Sequence, residues 1–493
     1  LADVFISYSR ADYDDFVKTF ADDLRAEGID VWIDQHNLKP GTPDWEQAIR
    51  DAIKTTPSLI LVATENSAKS LHVKDELALA RANDKAIYPL WANGEDKRFI
   101  DSIPLGYGST QYVDARGENY KRALHEIIQV IRGEKSIPTL TITANFIPSE
   151  EVVYSPTVTL HEPIRPYKGL ESFKEADKAI FFGREALSET LTSKIQTIAS
   201  TDSRLLAVVG ASGSGKSSVV MAGMIPRLRE QTDWLILDPI TPGAKPLRTL
   251  ALILSQYLSR PLTSILDDLR HPLCEGLDLI ARAIGNKKHI LLYIDQFEET
   301  FTLIADEAER QQFINLLVTA ATEPNGSLVV MLSLRADFYD RPMNYSTLGQ
   351  LIENNSKSVL PMTLSELVDA VERPAALANL HFESGLVSEI AFALREKSGA
   401  LAGALPLLQF ALERLYDERS DNTLTHSAYE RIGGIEGAIG NYAESIFTAL
   451  DETVQNALGT VFRNLINAGD PPTRKRVRLA EVTKDEASKA LVD

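Results

Sequence analysis

The sequence holds a single cysteine, Cys274, in 493 residues. No disulfide can form within one copy, and a reducing compartment, the cytoplasm, is the expected setting. No apolar run approaches the roughly 18 residues that a membrane span needs, so no membrane association is expected. The opening Leu1-Ala2-Asp3 has neither a basic segment nor an apolar core and does not read as a secretory signal. It lacks a starting Met, and Lys489–Asp493 carries no helix-stop residue, so the native chain is expected to extend further. Positive charge is scarce: 51 Lys and Arg face 69 Asp and Glu, a net charge of −18. That argues against a chain that coats nucleic acid or anionic membrane. The 8 histidines are scattered, with no HExxH or HxH pairing for a metal. Internal repeats and low-complexity tracts are absent as well.

What remains is ordinary globular composition, 44% hydrophobic and 24% charged. At roughly 100–200 residues per domain, the length fits three or four domains. Residues 1–133 alternate apolar runs (Val4–Ile6, Val31–Ile33, Leu59–Val62, Ala86–Leu90) with amphipathic stretches such as Phe16, Phe20 and Leu24, closed by Gly28. This alternation predicts a parallel sheet covered by helices, an α/β domain. Residues 134–165 carry Pro138, Pro148, Pro156 and Pro163 and read as an extended linker. A second α/β pattern spans 166–358, with strands expected at Leu205–Val209, Trp234–Leu237, Ile290–Ile294 and Leu328–Leu334. After about Val359 helical periodicity takes over, dividing into 359–422 and 423–493.

Gly210-Ala211-Ser212-Gly213-Ser214-Gly215-Lys216-Ser217 satisfies G-x-x-x-x-G-K-[ST] and lies between an apolar strand and a helical stretch. Such a loop wraps phosphates with backbone N–H groups at a helix N-terminus, here including Ser218. Lys216 is expected to reach the β/γ-phosphates of ATP, and Ser217 to hold Mg²⁺. His289–Asp295 reads as the partner strand that delivers Asp295 to the Mg²⁺ shell. Gln296 follows, where many ATPases place a water-polarising glutamate. Glu298 and Glu299 are candidate substitutes or solvated helix-start acids, and slow hydrolysis is expected. Arg335, closing the apolar run Leu328–Leu334, is a candidate sensor of the γ-phosphate.

These residues resemble the STAND class of P-loop NTPases, the group that includes NLR-type immune receptors. The resemblance rests on Tyr167–Phe173, Phe182-Gly183-Arg184-Glu185, the P-loop, Asp295–Glu299, Arg335 and Gly403-Ala404-Leu405-Pro406. It implies that Phe-Gly-Arg-Glu lies near the adenine and that Pro406 closes the pocket, although two residues rather than one separate Gly403 from Pro406. It implies a winged-helix region at 423–493 and a C-terminal sensor beyond the sequence. The basic run Arg474–Arg478 is read as a solvated edge rather than a DNA-binding patch.

The N-terminal domain places a polar turn, Ser7-Tyr8-Ser9-Arg10, after its first strand, a loop from Asp34 to Pro43 after its second, and an acidic pair, Asp75-Glu76, opening an apolar helical face. These residues resemble a TIR domain, a flavodoxin-like parallel-sheet fold, through Asp3–Asp12, Gly28–Asp34 with Leu38–Gly41, Trp45 with Ile49–Ile53, and Ser70 with Glu76-Leu77. His72 and Val73 stand where that family commonly has Trp and Cys. The resemblance implies that Glu76 is catalytic for cleavage of NAD⁺ and that Ser7, Arg10, Asp34 and Trp45 contact it. One carboxylate suffices chemically: the pyridinium leaving group needs no acid, and an anion stabilises the oxocarbenium-like ribose. Glu76 as a mere helix N-terminal acid, and Trp45 as a core residue, are the structural alternatives. Together the resemblances imply a TIR effector on an ATP switch that self-assembles in antiphage defence. The competing readings are a non-catalytic TIR scaffold and a DNA-binding regulator.

Overall fold

The structure is a computed structural model. It describes residues 2–34, 45–93, 112–135, 165–284, 289–397, 404–467, 473–474 and 477–492. Most of the linker expected at 134–165, most of the loop from Asp34 to Pro43, Gly403 and part of the basic run 474–478 lie outside the described residues.

The N-terminal sheet consists of β1 (Val4–Ser7), β2 (Val31–Trp32), β3 (Ser58–Ala63), β4 (Ala86–Trp91) and β5 (Val113–Asp114), all parallel, in the order β2-β1-β3-β4-β5. β1 and β3 are buried along their whole length, as continuous apolar runs in a doubly covered sheet must be. The helix Lys18–Ala26 packs Phe20, Ala21 and Leu24 inward, and Gly28 at φ +81° lets the chain turn toward β2. β5 was not anticipated: Val113 and Asp114 stand in no apolar run. In this order the chain leaves β1 to opposite sides, toward β2 and toward β3, which creates the crevice where open parallel sheets bind ligands.

The second sheet runs β10-β6-β9-β8-β7, with β6 (Leu205–Gly210), β7 (Trp234–Ile236), β8 (His289–Ile294), β9 (Leu328–Arg335) and β10 (Ser356–Ser358). All its pairings are parallel, and Gly210 sits opposite Arg335. β9 therefore separates the strand that feeds the P-loop from the one that ends beside Asp295, and the carboxyl ends of all three meet at one edge. β10 also escaped the sequence reading: Ser-Lys-Ser is an edge strand with no apolar signature. Past Val359 the helices Leu364–Leu377, Leu386–Lys397, Ala404–Asp417, His426–Ile432, Gly434–Ala449 and Glu452–Leu465 dominate. The strands do not stop there, however. His381–Phe382 pairs with Thr423–Leu424, and Ile466–Asn467 forms an antiparallel pair with Thr473–Arg474. Among the described residues no helix is long and apolar enough to cross a membrane.

Candidate functional site

Two sites emerge, one at the edge of each sheet. In the first, Ser7 ends β1 and is fully buried. Its hydroxyl donates to Glu76 Oε2 at 2.6 Å. Glu76 comes from the helix Leu71–Ala82, whose first turn is fixed by the Ser70 side chain accepting from the Val73 N–H. Leu77 and Ala80, expected to face the core, are both buried. Burial lifts the Glu76 carboxyl to about 8, against the opposing pull of the Ser7 hydrogen bond. A carboxyl displaced so far, in a crevice where a sheet binds ligands, marks a candidate functional group.

Asp34 lies alongside. It accepts a hydrogen bond from the Tyr8 hydroxyl and pairs with the exposed Arg10 at 3.3 Å. Burial, reinforced by Asp34, pushes the Tyr8 hydroxyl far above its ordinary range. The structure thus brings Ser7, Arg10, Asp34 and Glu76 to one edge. Trp45 begins the helix Trp45–Thr55, but its side chain lies outside the described residues. Tyr8 was missed; its signal was an aromatic hydroxyl between two polar residues at a strand end. Asp12 was missed too: it is buried and accepts from Thr64 at 2.6 Å and Asn66 at 2.7 Å, tying the turn after β1 to the segment after β3.

The second site is a cavity of about 210 Å³ lined by Gly213, Gly215, Lys216, Ser217 and Ser218, by Gly169–Phe173, by Phe182 and Arg184, and by Met362, Leu405 and Pro406. Gly213 and Gly215 have φ of +70° and +88°, which turns successive loop N–H groups inward. A Cβ on Gly210 would lie 2.9 Å from Ser214 Oγ and 3.0 Å from the Val359 carbonyl, so a larger residue there would force its neighbours to shift. Ser214 Oγ is buried without a hydrogen-bond partner among the described residues. Lys216 is buried, donates to the Gly210 and Ala211 carbonyls, and has its ammonium pushed below the ordinary lysine value by burial. An inward-facing amide loop, an unpaired hydroxyl and a buried cation together fit a phosphate chain.

Ser217 Oγ donates to Asp295 Oδ1 at 2.8 Å, joining the hydroxyl and carboxylate expected to share Mg²⁺. Asp295 is held further by Tyr293, at 2.8 Å, and by Ser333. Neither brace was anticipated, yet each was a polar residue inside an apolar strand. Arg335 pairs with Asp337 at 2.6 Å, and its backbone N–H donates to Glu298 Oε2 at 3.4 Å. Glu298 and Glu299 part company. Glu299 is buried and accepts from the Gly243 N–H at 3.2 Å, bracing a loop. Glu298 is half-buried beside Lys216 and Arg335, and burial raises its carboxyl above the ordinary range. Neither is a solvated helix-start acid.

A family model described as Novel STAND NTPase 1 matches residues 166–493, and a TIR domain model matches residues 4–128. Over 140 residues, 27% of this chain, the sequence is 29% identical to a Methanobrevibacter olleyae protein named a probable 2′ cyclic ADP-D-ribose synthase, TcpO. The chain spans 40% of that relative's length. Among solved structures, the TIR domain of the Toll-related receptor TRR-2 from Hydra magnipapillata matches 27% of this chain and 99% of its own, at 20% identity and a TM-score of 0.23. The Aeropyrum pernix ORC2 protein in its ADPNP-ADP complexes matches 56% of this chain and 74% of its own, at 16% identity and a TM-score of 0.39.

Proposed function

The chain belongs to the Novel STAND NTPase 1 family, and from that premise we propose that it is a nucleotide-controlled effector whose TIR domain cleaves NAD⁺ in antiphage defence. The observation that carries this reading is the Ser7–Glu76 pair in the crevice between β1 and β3.

The chemistry needs few groups. The bond between the nicotinamide nitrogen and the ribose C1′ breaks, and its electron pair stays on nitrogen, neutralising the pyridinium. Positive charge develops on the ribose, and an ionised Glu76 faces it in a partly desolvated crevice where a charge acts strongly. Ser7 orients the carboxylate. Asp34, held by Tyr8 and Arg10, accepts from ribose hydroxyls in this reading. Water then captures the cation and releases a proton, giving ADP-ribose, or a hydroxyl of the same molecule does so, giving a cyclic product. The TcpO relative, named as a probable cyclic ADP-ribose synthase, supports the second outcome.

In the second site Lys216 and the loop N–H groups would hold the ATP phosphates, while Ser217 and Asp295 would hold Mg²⁺, which neutralises phosphate charge. Pro406 and Phe182 close the base side, Arg335 reads the γ-phosphate, and Glu298 orients the attacking water. Nucleotide state sets assembly of the chain with copies of itself, and assembly gathers the TIR domains.

Glu76→Gln keeps the volume and removes the charge. It is expected to lower nicotinamide release by about a hundredfold or more, the scale of losing a main electrostatic group, with an unchanged circular dichroism spectrum. A protein that assembles with ATP but releases no nicotinamide would instead be a TIR scaffold.

A further inference from the structure

Two cations stand at the phosphate end of the second site, and both are already engaged. Lys216 donates to the Gly210 and Ala211 carbonyls of its own loop. Arg335 instead faces a full negative charge. Its Nε donates to Asp337 Oδ1 at 3.0 Å and its Nη2 to Asp337 Oδ2 at 2.6 Å. This two-pronged geometry suits a carboxylate and a phosphate alike.

The pairing is local in sequence. Arg335 ends β9 with an extended backbone, at φ −69° and ψ 137°, and the single turn Ala336–Phe338 brings Asp337 back beside it. The Phe338 ring centroid lies 5.3 Å from the guanidinium carbon, within cation–π range. Strand register sets Arg335 opposite Gly210, where the P-loop begins. Its backbone thus borders the phosphate end. Yet among the described residues lining the cavity are Lys216 and Ser217, and not Arg335. The pairing with Asp337 holds the side chain outside a cavity that its backbone borders.

Asp337 is electrically part of the same site. Its charge acts on the Lys216 ammonium together with those of Glu298 and Asp295. The Arg335 fork holds the Asp337 carboxyl below the ordinary carboxylate range, so it is ionised at neutral pH. An ionised Asp337 both retains the cation and repels an incoming phosphate.

Different parts of a nucleotide would break these two engagements. A β-phosphate can draw Lys216 from its carbonyls, and ADP and ATP both carry one. Only a γ-phosphate reaches for Arg335, so opening the pair with Asp337 weighs on ATP alone. A contact that one of two ligands must break, and the other leaves intact, shifts the preference between them.

We propose that Asp337 sets the preference of this cavity between ATP and ADP, competing with the γ-phosphate for Arg335 and moving the balance toward ADP. This rests on the reading of the cavity as a nucleotide site given above. The Arg335 and Asp337 side chains are 38% and 56% exposed, so water screens the pair and its effect is modest.

The test is displacement of a fluorescent ADP derivative from the full chain, by ADP and separately by a non-hydrolysable ATP analogue with Mg²⁺. Asp337→Asn keeps the size and removes the charge. It is expected to tighten the analogue by about 2- to 5-fold, the scale of an exposed ion pair, and to leave ADP unchanged. Asp337→Ser, too short to hold Arg335, should do the same. In an Arg335→Ala background, adding Asp337→Asn should tighten the analogue less, because the contested cation is gone. An Asp337→Asn chain that weakens the analogue relative to ADP would make Asp337 a brace for Arg335 and overturn the proposal. An unmoved ratio, or a gain of equal size without Arg335, overturns it as well. In those cases both nucleotides still bind and the reading of the cavity stands. A parent chain that binds neither nucleotide overturns that reading, and the proposal with it.

Discussion

In the proposed reaction Glu76 acts as an ionised carboxylate, and burial raises its carboxyl to about 8. NAD⁺ cleavage is therefore expected to rise with pH through that value. Ser7 holds the value down, so Ser7→Ala should shift the midpoint upward, which a pH profile of nicotinamide release will read. The stability consequence has the opposite sign. Between its ordinary 4.5 and about 8 the folded chain binds this proton more tightly than the unfolded chain does, so this group's contribution to stability falls as pH rises across that window. Glu76→Gln should then melt above the parent at pH 9 and close to it at pH 5, provided the same measurement shows one cooperative transition. At the second site the split between Glu298 and Glu299 is equally direct. Glu298→Gln is expected to cut ATP hydrolysis by 10²- to 10⁴-fold, the range for acid–base groups, with labelled ATP still bound. Glu299→Gln should disturb the Gly243 loop instead and lower the melting temperature.

Single elements show why part of the molecule was legible in the sequence and part was not. The P-loop was readable because its chemistry demands glycines, lysine and serine at fixed spacing after an apolar strand. β1, β3, β8 and β9 were readable because a buried parallel strand must be an apolar run. β5 and β10 were not, since they are held by neighbours rather than by their own pattern. The helix Leu71–Ala82 was read as a TIR helix with one buried face. Its Ala78-Leu79-Ala80 run already hinted at burial on two sides, but its partner lies almost 300 residues on, and no local pattern reveals that. Asp369 and Glu372, which meet Arg81, were not singled out for the same reason. Gly183 tests the elements' close approach. Gly183→Ala adds a methyl group at φ +83° against the Glu366 carbonyl. It should destabilise the fold by about 1–3 kcal/mol from strain and crowding, seen as a lower denaturant midpoint.

In the whole molecule, two candidate nucleotide sites sit on one chain that carries a net charge of −18. A TIR domain tethered to an assembling core experiences an effective concentration of roughly millimolar order, so weak contacts between TIR domains become sufficient once cores associate. In the structure the TIR helix Leu71–Ala82 packs on an intramolecular partner, the helix Leu364–Leu377. In the proposed function ATP binding governs cleavage of NAD⁺ through assembly. The most direct measurement is nicotinamide release by the purified chain across a wide dilution series, with and without ATP and Mg²⁺, with mass read by light scattering on each sample. Activity per chain is expected to rise with concentration, follow assembly, require ATP and be lost in Lys216→Ala. Full activity from a monomer, constant on dilution and indifferent to ATP, would contradict it.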